Sequence, residues 1–251
     1  MMLQPFIDQQ FSAQIWKFII DDDSGLLFAE IRNSEKHEVS FSAIDMNNGT
    51  INFKDLVLPE KWLTGLAGCF KGALFLHGYQ SAQSPAHKGI TVIDGTSGTT
   101  LWTDYNNAIS HISINGPVVY NTQFQPKKLF LADATTGNIL RPFDSTADTM
   151  PAQDIGIPDI IDDIPTGFDL PEGRLTGNIH YFEHNSFRIV SLHLLNEGRL
   201  KQVLMIIQGA GLVYYDLLNQ GIQKLQPESF IIYKSRLIYI KNTTCLRVVN
   251  L

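Results

Sequence analysis

Val92-Ile93-Asp94-Gly95-Thr96-Ser97-Gly98-Thr99-Thr100-Leu101-Trp102 reads as two apolar residues, an Asp, three turn formers, a Gly and a β-prone run ending in an aromatic. Two other stretches align with it without gaps. One is Ala43-Ile44-Asp45-Met46-Asn47-Asn48-Gly49-Thr50-Ile51-Asn52-Phe53, the other Leu131-Ala132-Asp133-Ala134-Thr135-Thr136-Gly137-Asn138-Ile139-Leu140-Arg141. Asp45 and Asp94 stand 49 residues apart, and Asp94 and Asp133 stand 39 apart. Each copy predicts a tight β-hairpin. The Asp carboxylate accepts from backbone N–H groups about two residues on, and Gly supplies the positive φ that closes the turn. A further short copy runs from Ile19-Ile20-Asp21 to Gly25.

Working outward, each turn is flanked by runs rich in β-branched and aromatic residues, and each is preceded by another short apolar run. Gly72 to His77 precedes Gly89 to Asp94, and Pro117 to Thr122 precedes Lys128 to Asp133. Every period thus carries four short strands, the content of one propeller blade, and blades of this kind span about 40–50 residues.

On Asp94, Ser97, Gly98 and Trp102, and on Asp133, Thr136 and Gly137, the repeat resembles that of quinoprotein-like (PQQ-type repeat) β-propellers. The style also resembles uncharacterised bacterial propeller families of unknown function. Phe53 replaces the Trp in one copy and Arg141 replaces it in another. The resemblance implies a propeller fold. Quinone chemistry does not follow, because the quinone dehydrogenases it resembles use longer chains and adjacent cysteines, and this chain carries only Cys69 and Cys245.

The second half is more degenerate. Phe187 to Leu194 turns at Asn196-Glu197-Gly198 into Arg199 to Ile206, and Leu212 to Leu218 is expected to turn at Asn219-Gln220-Gly221. Phe230 to Tyr233, Arg236 to Lys241 and Leu246 to Leu251 form three strands lacking a fourth, for which Gln14 to Phe18 is the N-terminal candidate. The expected fold is all-β: a single small β-propeller domain over 1–251, with five or six four-stranded blades. The N-terminal strand closes the last blade and removes its exposed edge.

One segment breaks the rhythm. Residues 144–173 hold eight acidic residues, four prolines and no Lys or Arg, and read as an acidic, Pro-rich loop insertion. Among its carboxylates Asp159, Asp162, Asp163 and Asp169 are the candidate binding residues, since hard cations take several oxygen ligands.

Composition narrows the functions. The 251 residues are 44% hydrophobic and 18% charged, with a formal charge of −6, which argues against a nucleic-acid binder gripping the phosphate backbone. No run reaches membrane-span length, and the first residues lack a signal-peptide pattern. There is no Gly-x-Ser-x-Gly elbow and no phosphate loop. His180 and His184, four apart on a strand, lie about 13 Å apart, too far to share a metal. His77, His111 and His193 read as hydrogen-bonded fold histidines, and His37 and His87 as solvated ones. Trp62, Tyr79 and Tyr105 fall near blade ends, where exposed aromatics suit a protein contact. The expectation is a cytoplasmic, monomeric, non-catalytic scaffold that binds another protein or peptide, without cofactor or metal and without a nucleic-acid or membrane partner. The alternative is a small-molecule or divalent-metal enzyme with a carboxylate-lined site near the propeller axis.

Overall fold

A computed structural model describes residues 2–227 and 229–251. The described residues contain strands and no helix, and they divide into two compact units: a central one, residues 12–153, and a terminal one, residues 1–11 with 154–251. The N-terminal strand β1 (Pro5–Gln10) belongs to the terminal unit.

The central unit is three consecutive four-stranded antiparallel meanders, each in chain order. The first is β2 (Gln14–Asp21), β3 (Leu26–Asn33), β4 (Glu38–Asp45) and β5 (Ile51–Val57); the second is β6 (Thr64–Phe70), β7 (Ala73–Ser81), β8 (Ser84–Asp94) and β9 (Thr100–Asp104); the third is β10 (Asn107–Ser113), β11 (Gly116–Asn121), β12 (Leu129–Ala132) and β13 (Ile139–Pro142). Six consecutive residues of β3 and six of β4 are buried, so both faces of the first sheet's middle are covered. That is why these strands read as near-continuous apolar runs rather than as alternation. Leu26, Phe28, Phe41, Leu74, Leu76 and Ile93 form one core layer; Phe75, Ile90, Val92, Ile109 and Val119 form the next.

The Asp–Gly repeat is the hairpin between the third and fourth strands of each meander. Gly49, Gly98 and Gly137 have φ of 77°, 72° and 75°, and their N–H groups donate to the carbonyls of Asp45, Asp94 and Asp133 at 2.8–2.9 Å. The carboxylates accept from Asn47 N–H, from Thr96 and Ser97 N–H, and from Thr135 and Thr136 N–H. The spacing from Asp to aromatic has a packing cause. A Cβ on Gly98 would lie 3.1 Å from the Phe53 ring, and one on Gly137 would lie 2.9 Å from Trp102. Trp102 Nε1 also donates to Ala134 O at 2.9 Å. The fourth-strand aromatic of one sheet therefore lies on the turn glycine of the next, at two joints, and the second repeat contributes Gly98 to one and Trp102 to the other. Arg141, at the third aromatic position, instead grips the buried Asp148 with two N–H···O bonds of 2.5 and 2.7 Å. The turn at Asp21 and Gly25 has the same form but joins the first and second strands, and the buried Asp21 carboxylate accepts the N–H of Gly72 in the neighbouring sheet.

In the terminal unit β14 (Ile155–Gly156), β15 (Asp159–Ile161) and β16 (Arg174–Leu175) are short. They precede β17 (Ile179–His184), β18 (Phe187–Asn196), β19 (Arg199–Gln208), β20 (Gly211–Ile222), β21 (Ile231–Tyr233), β22 (Arg236–Lys241) and β23 (Cys245–Asn250). One sheet runs β15-β17-β18-β19-β20 with β16 beside β18; the other runs β1-β23-β22-β21-β14. An N-terminal strand does complete the C-terminal sheet, but it is β1 rather than Gln14 to Phe18, which opens the central unit. Asn219-Gln220-Gly221 is not a turn either. It lies inside β20, where a bulge lets the strand stay paired with β19. The acidic stretch is ordered in part: residues 144–148 fold against Arg141 and Asn115, while β14 and β15 pair with β21 and β17. The fold class is all-β of the propeller type, with five blade-like sheets among the described residues.

Candidate binding site

An antiparallel meander sends its first and third hairpins to one end and its second hairpin, with the link to the next sheet, to the other. In the central unit the first end therefore collects Asp21, Asp22, Asp23, Asp45, Asp94 and Asp133. The second end collects the connections at 34–37, 58–63, 82–83, 105–106 and 122–128. Lys17, Arg32, Lys36, Lys61, Lys127 and Lys128 stand at or near this second end. Most of the acids there are engaged locally: Glu60 accepts from Trp62 and Leu63 N–H, Asp104 from Asn106 and Asn107 N–H, and Glu38 faces Lys61 at 3.7 Å. Hydrogen bonding leaves these carboxylates charged, so with Glu30 and Glu35 beside them this end interleaves cations and acids in a chain of net charge −6.

The same end exposes large aromatics: Trp16 is 62% exposed, Tyr105 76% and Phe124 66%. Trp16 owes its position to a bulge. Ile15 pairs with Ile31 and Lys17 with Glu30, leaving Trp16 as the extra residue, and β6 and β10 shift register at the corresponding place. Arg32 carries its guanidinium over both Trp16 and Trp62, 5.6 and 5.4 Å from the ring centroids. Its Nε donates to the buried Glu30 at 2.6 Å and its Nη2 to Thr64 O at 3.0 Å, while the other Glu30 oxygen accepts Leu66 N–H at 2.7 Å. The arginine is thereby fixed as a plate between two indoles. Beside Phe124, an open groove of about 650 Å³ is lined by Gln125, Pro126, Lys128, Phe130 and Ile139.

Beneath this surface lies His77, 6% exposed. Its ring stacks flat on His87, centroids 3.7 Å apart and planes 11° apart, with Tyr79 edge-on to both rings. Neither ring nitrogen of His77 has a hydrogen-bond partner. Burial, then the charges of His87, Lys17 and Arg32, push its pKa down from 6.5 to about 3, so the ring is neutral. His87 is lowered as well, by burial and by Lys17 and Lys127.

The carboxylates expected from sequence lie elsewhere. Asp159, on β15, and Asp162, Asp163 and Asp169, in the stretch after it, are all exposed in the terminal unit. Among the described residues no three His, Cys, Asp or Glu side chains are grouped so as to hold a metal. His180 is buried and its Nδ1 lies 2.7 Å from Ser229 Oγ; His193 Nε2 accepts Gln226 N–H at 3.1 Å. His193 thus fits the expectation of a hydrogen-bonded histidine and His77 does not. His87, read as solvated, is a stacking partner. Trp62 and Tyr79 are half-buried, and Tyr105 is exposed as expected for a contact residue. The sequence reading missed Trp16 as a surface residue, because a bulge leaves no trace in a single strand's pattern.

A family model described as a domain of unknown function (DUF4905) matches residues 20–102. No curated protein matches the chain. Among solved structures, the β-propeller domain of the Trilobed protease from Pyrococcus furiosus, described as having an open velcro topology, is similar at 10% identity and a TM-score of 0.35, over 94% of this chain and 64% of that one. A bifunctional GH43-CE protein of Bacteroides eggerthii is similar at 8% identity and a TM-score of 0.32, over 98% of this chain and 34% of that one. The chain thus spans less than two thirds of either structure's length.

Proposed function

We propose that this chain is a non-catalytic binding module that holds a peptide segment of another protein on the second end of its central unit. The observation that carries this reading is the gathering of Trp16, Tyr105 and Phe124, all exposed, among cations at one end of three sheets. Trp, Tyr and Arg are the residue types that dominate binding energy at protein interfaces, where a buried aromatic anchor contributes 2 kcal/mol or about that. Arg32, locked by Glu30 and Thr64, loses little freedom when a partner covers it. The enzyme alternative calls for carboxylates converging on a pocket, whereas Asp159, Asp162, Asp163 and Asp169 are each exposed.

The test is selection of a random peptide library on the purified chain, followed by calorimetry of the enriched peptides with wild type, Trp16→Ala and Tyr105→Ala. Leu212→Ala, exposed in the terminal unit, serves as the control. The expected result is a tenfold or greater loss of affinity with Trp16→Ala, a smaller loss with Tyr105→Ala and none with the control. Enriched peptides that bind all four proteins equally, or a library that yields no binder, overturn the reading.

A further inference from the structure

We propose that the groove beside Phe124 is where the bound segment docks. Its occupant is an extended stretch of peptide that carries one large apolar side chain, with an Asp or Glu two positions away. The inference rests on the peptide-binding reading and names the chemistry of its ligand.

The groove belongs to the third sheet, and its apolar lining is Phe124, Pro126, Phe130 and Ile139. Phe130 is fixed, because it packs against the core layer of Phe75, Val92 and Val119, while Phe124 and Ile139 are exposed. At about 650 Å³ the groove has room for a Leu- or Phe-sized side chain with its backbone, and an apolar lining with a few polar groups is the usual make-up of a binding site. A side chain seated there covers two large apolar residues that otherwise face water.

Two asparagines in the lining make it a peptide site. Asn107, which opens β10, and Asn121, which closes β11, are directly opposed in the ladder, so their side chains start about 5 Å apart. Asn107 Nδ2 donates to Asp104 Oδ2 at 2.5 Å, and Asn121 Oδ1 accepts Gln123 N–H at 2.9 Å. Each amide is thereby oriented with one half engaged. What remains on the pair is an acceptor, Asn107 Oδ1, beside a donor, Asn121 Nδ2. An adjacent acceptor and donor match the N–H and C=O of one residue in an extended chain, the groups that such a residue presents together to a neighbouring strand.

The competing mode is a strand added to the open edge of this sheet. That edge is β13, which is bulged at Leu140 and ends in Pro142, two features that blunt an edge against strand addition. Charge supplies the last requirement. Lys128 lines the groove, and among the described residues no carboxylate does. Alternate side chains of an extended segment share one face about 7 Å apart, so an Asp or Glu two positions from the anchor falls on the groove side, where Lys128 is its charge partner.

The probes are fluorescein-labelled octapeptides of Gly and Ser carrying one Leu with a Glu two positions to either side, read by anisotropy on the full chain. Three twins each remove one feature: Leu becomes Ala, both Glu become Gln, or the Leu backbone nitrogen carries a methyl group. The expected result is at least tenfold weaker binding of the Ala and N-methyl twins and several-fold weaker binding of the Gln twin. The Gln difference should shrink as salt is raised from 50 to about 300 mM, because exposed charges are screened, and should vanish in Lys128→Gln. Phe124→Ala, a surface change that leaves the core intact, should weaken the parent peptide at least tenfold. Asn121→Leu should lower the parent to the level of the N-methyl twin and leave that twin unchanged, its melting temperature distinguishing a local loss from unfolding. Four peptides that bind equally, peptides that do not bind, or a parent peptide indifferent to Phe124→Ala overturn the groove. An N-methyl twin as tight as its parent overturns the extended backbone. Library peptides that depend on Trp16 but not on Phe124 also overturn the groove and leave the module reading standing, whereas a library without binders removes the module reading itself.

Discussion

Each unit buries a polar cluster, and the two clusters are opposites. In the terminal unit Asp216 accepts from Tyr239 Oη, Lys241 Nζ and Arg247 Nη1, all at 2.6 Å. Tyr214 and Tyr239 share a hydroxyl contact of 2.7 Å, and Arg247 continues to Asp8 on β1, which Cys245 Sγ also reaches at 3.1 Å. Burial, then the neighbouring carboxylates, raise the Tyr239 hydroxyl and push the Cys245 thiol up to about 11, while Arg247 holds Asp8 below the ordinary carboxylate range. Every group named has a partner, and the partners lie on β1, β20, β22 and β23. Such a network pins strand register and offers nothing outward. His77 and His87 in the central unit are the reverse: buried and half-buried, packed by ring faces, with both nitrogens of His77 unused. A saturated cluster has a structural reading; unused hydrogen-bonding capacity beneath an end rich in exposed aromatics has a recognition reading.

The contrast breaks most visibly at Asp216. Asp216→Asn keeps the shape but leaves Lys241 without a carboxylate and Arg247 with only Asp8, and breaking a buried ion pair from one side costs about 3–5 kcal/mol. For a chain of this size that is a fall in melting temperature of roughly 10 °C, measurable by calorimetry. A fall of only about 1 °C would mean the network is decorative and would remove the ground for treating the two clusters differently.

How much of this was legible depends on how local each signal is. The Asp45, Asp94 and Asp133 hairpins were readable because carboxylate, turn residues and glycine all lie within one short stretch, and the four-strand content of each period followed. The closure of the C-terminal sheet by an N-terminal strand was readable in kind, but Trp16 drew it to the wrong strand. Trp16 resembles the docking aromatic Trp102 in sequence; only the pairing of β2 with β3 shows that it sits on a bulge. The His77–His87 stack depends on register as well. Tyr79 pairs with His87 only because β7 and β8 slip between His77 and Gly78, a non-local event without a sequence signature. In the acidic stretch the charges signalled a loop while Ile155, Ile161 and Phe168 did the pairing and packing. Apart from the buried Asp148, which Arg141 holds, the charges describe its solvent side.

Acid sharpens the comparison next. His77 titrates at about 3 in the fold against 6.5 unfolded, so the unfolded chain binds the extra proton. Its contribution is present above pH 6.5 and is lost progressively as pH falls toward 3. At pH 5 the loss from this one ring is about 2 kcal/mol. The carboxylate side of the Asp216 network behaves differently: Asp8, held below its ordinary 3.8, loses its contribution only as pH falls below that range. His77→Leu should therefore flatten the stability profile between pH 7.5 and 5 by about 2 kcal/mol in urea titrations, a change Asp216→Asn does not reproduce. An unchanged slope in His77→Leu would show that the ring is charged in the fold.

At pH 7.5 the same substitution has the smallest expected effect and the most telling sign. Removing a buried polar residue usually destabilises, because its partners are left unpaired; the penalty is about 1–3 kcal/mol for each orphaned group. His77 has no hydrogen-bonded partner to orphan. Replacing it by a side chain of similar volume removes two unsatisfied nitrogens from the interior, at the cost of its ring contacts with His87 and Tyr79, each within about 0.5–1.5 kcal/mol. The balance is a melting temperature unchanged or raised by a few degrees. The recognition reading requires a second consequence: with the stack gone, His87 is no longer held in place beneath that end, so affinity for the library-selected peptides falls while stability does not. A variant that loses stability at pH 7.5 would place His77 with Asp216, as a member of a satisfied network, and the distinction between the two clusters would not survive.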